Sequence, residues 1–204
     1  MPLVQVIQSR KSLGIQDLEN IVNSQIPVGA HMLGSLLDYP AAASSPSGEV
    51  QYLQIKVTAG VILDDMQYFL ETGGSASRNV RMGLYEQADP TDRLGIPTNR
   101  VAQTNQTNTT GAVDQFKDLP LTDAVTGGAG SPVALEITVD GFYWIAFVAD
   151  NPTAKYAVSP PYRSDYLPVR RETGIVATTL PAVAGVLTNP VSSLVYVAAI
   201  EVPV

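Results

Sequence analysis

From Glu49 onward, apolar and polar residues alternate with a period of two in one run after another. In "VQYLQIKVT", Leu53, Ile55 and Val57 fall on one side and Gln54, Lys56 and Thr58 on the other, the pattern of a half-buried β-strand. "VILDDMQYFLE" follows after Ala59-Gly60, and "TGGSASRN" supplies a Gly/Ser turn. "NVRMGLYE" then sets Val80, Met82 and Leu84 against Arg81, Gly83 and Tyr85. A long polar stretch comes next, holding "ADPTDRLGIPTNR" and "TNQTNTTG". "VALEITVDGFYWIAFVAD" reads as two strands around Asp140-Gly141, a dipeptide suited to a tight hairpin turn. On the first of them Val133, Leu135, Ile137 and Val139 face one way, and "SLVYVAAIEV" makes the last strand. Short strands at this spacing, with no helical period between them, predict an all-β, antiparallel β-sandwich of jelly-roll-like topology.

One strand breaks the alternation. In "DGFYWIAFVAD", Phe142, Trp144, Ala146 and Val148 share one face, while Tyr143, Ile145, Phe147 and Ala149 share the other. Neither face is polar, so both must be covered. One face fills the space between the sheets. The second needs the N-terminal segment, a loop such as "YAVSPPYRSDYL", or another subunit, and an uncovered patch of that kind is itself an association site. Tyr143 and Phe147 are on that account candidate partner-interface residues.

Residues 1–48 differ in character. "LGIQDLENIVNSQIP" places Ile15, Leu18, Ile21, Val22 and Ile26 at helical spacing, with Gly14 before the helix and Pro27 stopping it. A helix of roughly ten residues is unstable alone in water and must dock on something. "AHMLGSLLDYPAAASSPSG" then turns small and Pro/Ser-rich, as a linker does. The reading is an N-terminal arm over 1–48 and a sandwich domain over 49–204. Ile15, Leu18 and Val22 are then the arm's partner-facing residues; the alternative is a helix packed on its own domain.

A chain of 204 residues can bury one large core, and the absence of cysteine excludes disulfides and thiolate metal sites. Charged residues make up 15%, against about 25% in an average soluble domain. The net charge of −7 argues against a nucleic-acid partner, which needs a basic face to displace counterions. No run approaches the roughly 20 apolar residues of a membrane span, so no membrane partner is expected. "MPLVQVIQSRKSLG" lacks a basic stretch followed by an apolar one and is not expected to act as a signal peptide. The sequons at Asn105 and Asn108 read, without secretion, as an ordinary polar loop.

Little in the chain reads as catalysis. The single histidine, His31, lies in the arm, where nothing fixes it as a general base. Gly-rich phosphate loops, HExxH and zinc-type ligand spacings are missing from the sequence. Asp64 and Asp65 are adjacent on a strand and point to opposite faces, so they form no opposed pair for glycoside hydrolysis. "ADPTDRLG" is good turn chemistry, and Asp89 and Asp92 with loop carbonyls make the one metal candidate, for Ca²⁺. "YAVSPPYRSDYLPVRRE" gathers Tyr156, Tyr162 and Tyr166 with Arg163, residue types that recur at protein interfaces and on sugar faces. They are candidates for glycan or partner contact, or for packing on their own sandwich. No cofactor is expected.

The order of motifs resembles a known module. "SASRNVRMGLYEQADPTDRLGIPTNRVAQT", through Arg78 to Tyr85 and Arg100 to Thr104, is similar to a segment of the jelly-roll module in tailed-phage virion structural proteins. "PVALEITVDGFYWIAFVAD" resembles the same module's strand pair, and "TTLPAVAGVLTNPVSSLVYVAAIE" its closing segment, in which Leu-Pro precedes the final strand. The likeness spans roughly residues 49–202 and leaves the first 48 residues uncovered. Such modules occur in head decoration (cement) proteins, head fibres and tail appendages, and are not enzymes. The resemblance implies a non-enzymatic protein of the virion surface, on the head before the tail, made in the host cytoplasm. Its partners would be the major capsid protein or other virion proteins and further copies of itself, as a trimer or dimer. The alternative is an adhesin or fibre module that recognises host-surface glycan.

Overall fold

A computed structural model describes residues 30–33, 41–43, 48–74, 79–110, 115–122, 130–150, 153–159, 169–176, 178–188, 195–196 and 198–201. The helix expected between Ile15 and Ile26 lies outside them. Among the described residues sixteen strands are formed: β1 (Ala30–Leu33), β2 (Ala41–Ala43), β3 (Glu49–Val57), β4 (Ile62–Leu63), β5 (Asp65–Thr72), β6 (Asn79–Gln87), β7 (Pro97–Thr104) and β8 (Thr107–Asn108), then β9 (Gln115–Thr122), β10 (Leu135–Glu136), β11 (Gly141–Ala149), β12 (Lys155–Ser159), β13 (Val169–Thr173), β14 (Leu187–Thr188), β15 (Val195–Tyr196) and β16 (Ala198–Glu201). Every pairing among them is antiparallel.

Two layers result. One runs β1-β16-β5-β9, with β12 joining β5, β15 and β2; the other runs β7-β6-β11-β3-β13-β14. β9 links them, because Gln115–Pro120 pair with β5 while Leu121 and Thr122 pair with Thr104 and Gln103 of β7. Successive strands change layer repeatedly, β3 to β5, β5 to β6, β11 to β12 and β12 to β13, so the two layers form an antiparallel sandwich. β1 and β2, from the segment assigned to the arm and linker, are strands of the first layer, paired with β16 and β12.

The period-two pattern places the inner faces of β3 and β6 as expected, whereas Val139, expected on one face with Ile137, is 49% exposed. Leu53, Ile55 and Val57 of β3, Met66, Tyr68 and Leu70 of β5, and Val80, Met82 and Leu84 of β6 are buried in one core with Tyr143, Ile145 and Phe147 of β11. Tyr68, Phe147 and Tyr156 pack ring on ring there, with centroids 5.1–5.9 Å apart. β11 sits centrally in its layer, between β3 and β6.

Two local expectations are corrected. β10 does not form a hairpin with β11; it pairs with β4. Main-chain bonds from Gly60 N to Ile137 O (2.7 Å) and from Ile137 N to Val61 O (2.8 Å) hold that segment along the β3–β4 turn. The Asp140 carboxylate accepts from Ala59 N at 2.5 Å instead of closing a turn on its own strand. Gly141 serves a close approach: a Cβ there would stand 2.4 Å from Pro90 Cβ and 2.6 Å from Pro90 O. The polar stretch after Tyr85 also contains a strand, β7, whose Gln103 and Thr104 are fully buried. Buried polar side chains hide a strand from any hydrophobic pattern.

Candidate functional site

The second face of β11 is covered by the chain itself. Trp144, Ala146 and Val148 pack with Val50 and Tyr52 of β3, Tyr85 of β6 and Leu180, forming a second apolar cluster outside the sandwich, with Ile175, Ala184 and Leu187 against it. Leu180 belongs to a strap, residues 174–176 and 178–188, that leaves the end of β13 and returns to it as β14, where Leu187 and Thr188 pair with Glu172 and Arg171. Gly83 makes room for it, since a Cβ there would meet Leu180 Cδ1 at 2.7 Å. Between its ends the strap lies along β7: Arg100 N donates to Ala182 O (2.9 Å) and Ala184 N to Thr98 O (2.8 Å), around a bridge between Asn99 and Val183. That part of β7 is free to accept it because β9 pairs β7 only at Gln103 and Thr104.

Beneath and beside the strap the outer layer is polar as well as aromatic, and several of its polar groups are satisfied internally. Tyr85 Oη donates to Pro181 O at 2.6 Å, and the Arg100 guanidinium donates to Leu180 O. Tyr52 Oη donates to Glu172 Oε2 at 2.6 Å, and the Tyr52 and Tyr85 rings meet edge to face at 5.1 Å. Gln87 Oε1 accepts from Trp144 Nε1 (2.9 Å) and Gln54 Nε2 (3.0 Å). Its Nε2 donates to the carbonyls of Asp89 and Asp92, so one amide ties the loop after β6 to the centre of the sheet. Arg170 lies over the Trp144 ring, 5.7 Å from its centroid. Burial pushes the Tyr52 and Tyr85 hydroxyls far above the ordinary phenol range. Burial first, and the charge of Arg100 second, hold the Arg81 guanidinium below its usual value.

What remains apolar and outward is concentrated. Among the described residues eight large apolar side chains are exposed, and six of them, Leu94, Ile96, Val101, Val176, Val183 and Val186, lie on the β6–β7 loop, β7 and the strap. Val186 is 88% exposed, Val176 79% and Leu94 76%. The two segments that carry them are hydrogen-bonded to each other, which makes this surface the candidate site for association. No family model and no curated protein matches the chain. The functional reading therefore rests on the residues themselves.

Tyr143 and Phe147, expected at a partner interface, are in the inter-sheet core, and Tyr143 Oη donates to Val139 O at 3.1 Å. Side chains packed there offer a partner no surface. Tyr156, a candidate for glycan or partner contact, is likewise buried, in the aromatic group with Tyr68 and Phe147. Tyr162, Arg163, Tyr166, Ile15, Leu18 and Val22 lie outside the described residues. Asp89 and Asp92 sit in an exposed turn. Asp89 Oδ1 accepts from the Thr91 hydroxyl (2.6 Å) and amide (2.9 Å), which hold its carboxyl below the ordinary range; Asp92 Oδ1 accepts from Leu94 N at 2.8 Å.

Two of the loop carbonyls beside these carboxylates are already taken. Asp89 O accepts from Asp92 N and Gln87 Nε2, and Asp92 O from Gly95 N and Gln87 Nε2, which uses both lone pairs of each. Among the described residues no three His, Cys, Asp or Glu side chains gather as a metal group. A shallow depression of about 340 Å³ lies between Asp64, Asp65, Pro120, Pro132, Val133 and Ala134. Burial, then Asp64 and Asp118, raise the Asp65 carboxyl above its ordinary range. Sequence reasoning missed the strap and the Gln87 hub; the one available signal was Leu180-Pro181 followed by small residues.

Proposed function

We propose that the chain is a non-enzymatic structural protein of a phage particle, a head decoration protein that binds the major capsid protein through its N-terminal arm and through contacts between subunits. The observation that carries this reading is where the exposed apolar side chains lie. They are gathered on one pair of hydrogen-bonded surface segments, the strap and the β7 region, and not around a cleft. The motif order over residues 49–202 supports it, since modules of that kind brace or ornament virions.

The test is co-sedimentation with phage heads of the full chain and of a chain lacking residues 1–29. This truncation retains β1, which is part of the sandwich. The full chain is expected to co-sediment and the truncated chain, still folded by circular dichroism, to stay in the supernatant. Equal binding by both would remove the arm from the mechanism, and binding by neither would remove the head-decoration reading.

A further inference from the structure

We propose that the outer face of the second layer, where the strap crosses it, is a two-fold interface between two copies of this chain. A second copy is thereby the partner for the subunit contacts proposed above, a conclusion that rests on that reading of the surface.

The surface is large enough for a stable dimer. Leu94, Ile96, Val101, Val176, Val183 and Val186 are exposed there by 37% to 88%. They offer on the order of 600 Å² between them, and with the small exposed residues of the strap they approach the roughly 800 Å² that each partner gives a standard interface. Lone exposed apolar side chains need no partner, whereas six gathered on two joined segments mark an association site.

The same surface is fixed before any partner arrives. The strap is tied to its own body at both ends, by Ile175 N donating to Gly48 O (3.0 Å) and by Leu187 and Thr188 paired with Glu172 and Arg171. Between its ends it is bonded to β7. Leu94 N donates to Asp92 Oδ1 at 2.8 Å, and the Gln87 amide holds the carbonyls of the same loop. All but Leu94 of the six apolar side chains are β-branched, with χ1 already restricted. Covering such a surface costs little ordering entropy.

Charge selects the partner. From Gly174 to Thr188 the strap carries no charged residue, in a chain whose net charge is −7. A partner recognised by its charge would find nothing on the strap to pair with. A second copy, as acidic as the first, meets this face without bringing like charges together at its centre.

Size selects the symmetry. The other large apolar side chains exposed among the described residues are Ile62 and Val139 alone, too small a surface to receive the strap face. The face therefore matches itself, and a patch that matches itself closes as a two-fold dimer.

Sedimentation of the full chain is the test. At roughly 50 μM, well above a micromolar Kd, the unaltered protein is expected to sediment at twice the chain mass. The Val183→Glu/Val186→Glu variant alters two exposed side chains and should fold as before by circular dichroism. Its association is expected to weaken roughly hundredfold or more, because each glutamate enters the interface without a partner. Leu94→Glu, on the loop, should give a loss independently, while Ile62→Glu/Val139→Glu stays dimeric. A monomeric unaltered chain overturns the proposal and leaves the face to the N-terminal segment or to the capsid protein. An undiminished dimer in the Val183→Glu/Val186→Glu and Leu94→Glu variants overturns it by placing the association elsewhere. A dimer lost in the Ile62→Glu/Val139→Glu variant overturns the two-fold arrangement. Monomers that co-sediment with phage heads remove the dimer and keep the head-decoration reading; dimers that stay in the supernatant do the reverse.

Discussion

The hydroxyl of Tyr85 on β6 donates to the carbonyl oxygen of Pro181 in the strap at 2.6 Å, one residue beyond the leucine that packs over Gly83. A sheet residue and a segment almost a hundred positions later are thereby made one layer.

Removing the leucine should cost more than removing the hydroxyl. Leu180→Ala deletes a fully buried side chain and is expected to destabilise the fold by about 2–4 kcal/mol. Tyr85→Phe deletes one hydrogen bond and should cost about 1 kcal/mol. Urea unfolding of both variants checks the order; a Leu180→Ala midpoint equal to that of the unaltered protein would mean the strap is not part of the cooperative fold.

Gly141 is required for space and Gly60 for backbone conformation, and substitutions should separate the two. Gly141→Ala drives a methyl into Pro90 and is expected to cost about 1–3 kcal/mol. It also loosens the bond from Phe142 N to Pro90 O, which is 2.8 Å long. Gly60 has φ 84° with no atom within 4 Å of a Cβ, so Gly60→Ala should cost about 1 kcal/mol. The same unfolding assay decides; equal losses would contradict the close contact at Pro90.

Trp144 is the one tryptophan in the chain and is fully buried, so its fluorescence reports this layer alone. Gln87→Leu leaves the Trp144 indole N–H and the Gln54 amide without their acceptor. A loss of about 2–3 kcal/mol is expected, with altered emission before any unfolding. Native emission identical to that of the unaltered protein would show that the bond is not kept in solution.

Stability should fall in strong alkali. Burial pushes the Tyr68 hydroxyl up to about 12, while an unfolded tyrosine titrates near 10, at about its model value. Between those values the folded state holds a proton that the unfolded state has released, so stability is full below pH 10 and drains as pH rises toward 12. Tyr52 and Tyr85, raised in the same direction by burial, add to the loss. Tyrosinate absorbance followed beside far-ultraviolet circular dichroism should show the last tyrosines ionising together with unfolding. Complete ionisation with the sheet signal intact would contradict their burial.

Strand positions and inward faces were legible because they depend on neighbours along the chain. An alternating run such as Leu53, Ile55 and Val57 has one side to bury wherever it is placed, and so do Met66, Tyr68 and Leu70. The doubly apolar run in β11 established by itself that both faces of that strand are covered.

What covers them was decided by contacts between distant segments. Trp144 is roofed by Leu180, in a strap whose sequence is mostly small and outward-facing. Tyr143, Phe147 and Tyr156 look like contact residues until the sheets close over them. β7 was hidden because Gln103 and Thr104 are buried through main-chain pairing and not through apolar side chains. Asp140-Gly141 reads as a hairpin, yet Pro90, fifty positions away, claims the glycine. Periodicity records which side of a strand avoids water. Only the packed tertiary structure settles which distant residues replace the water, because that choice depends on where every other strand has gone.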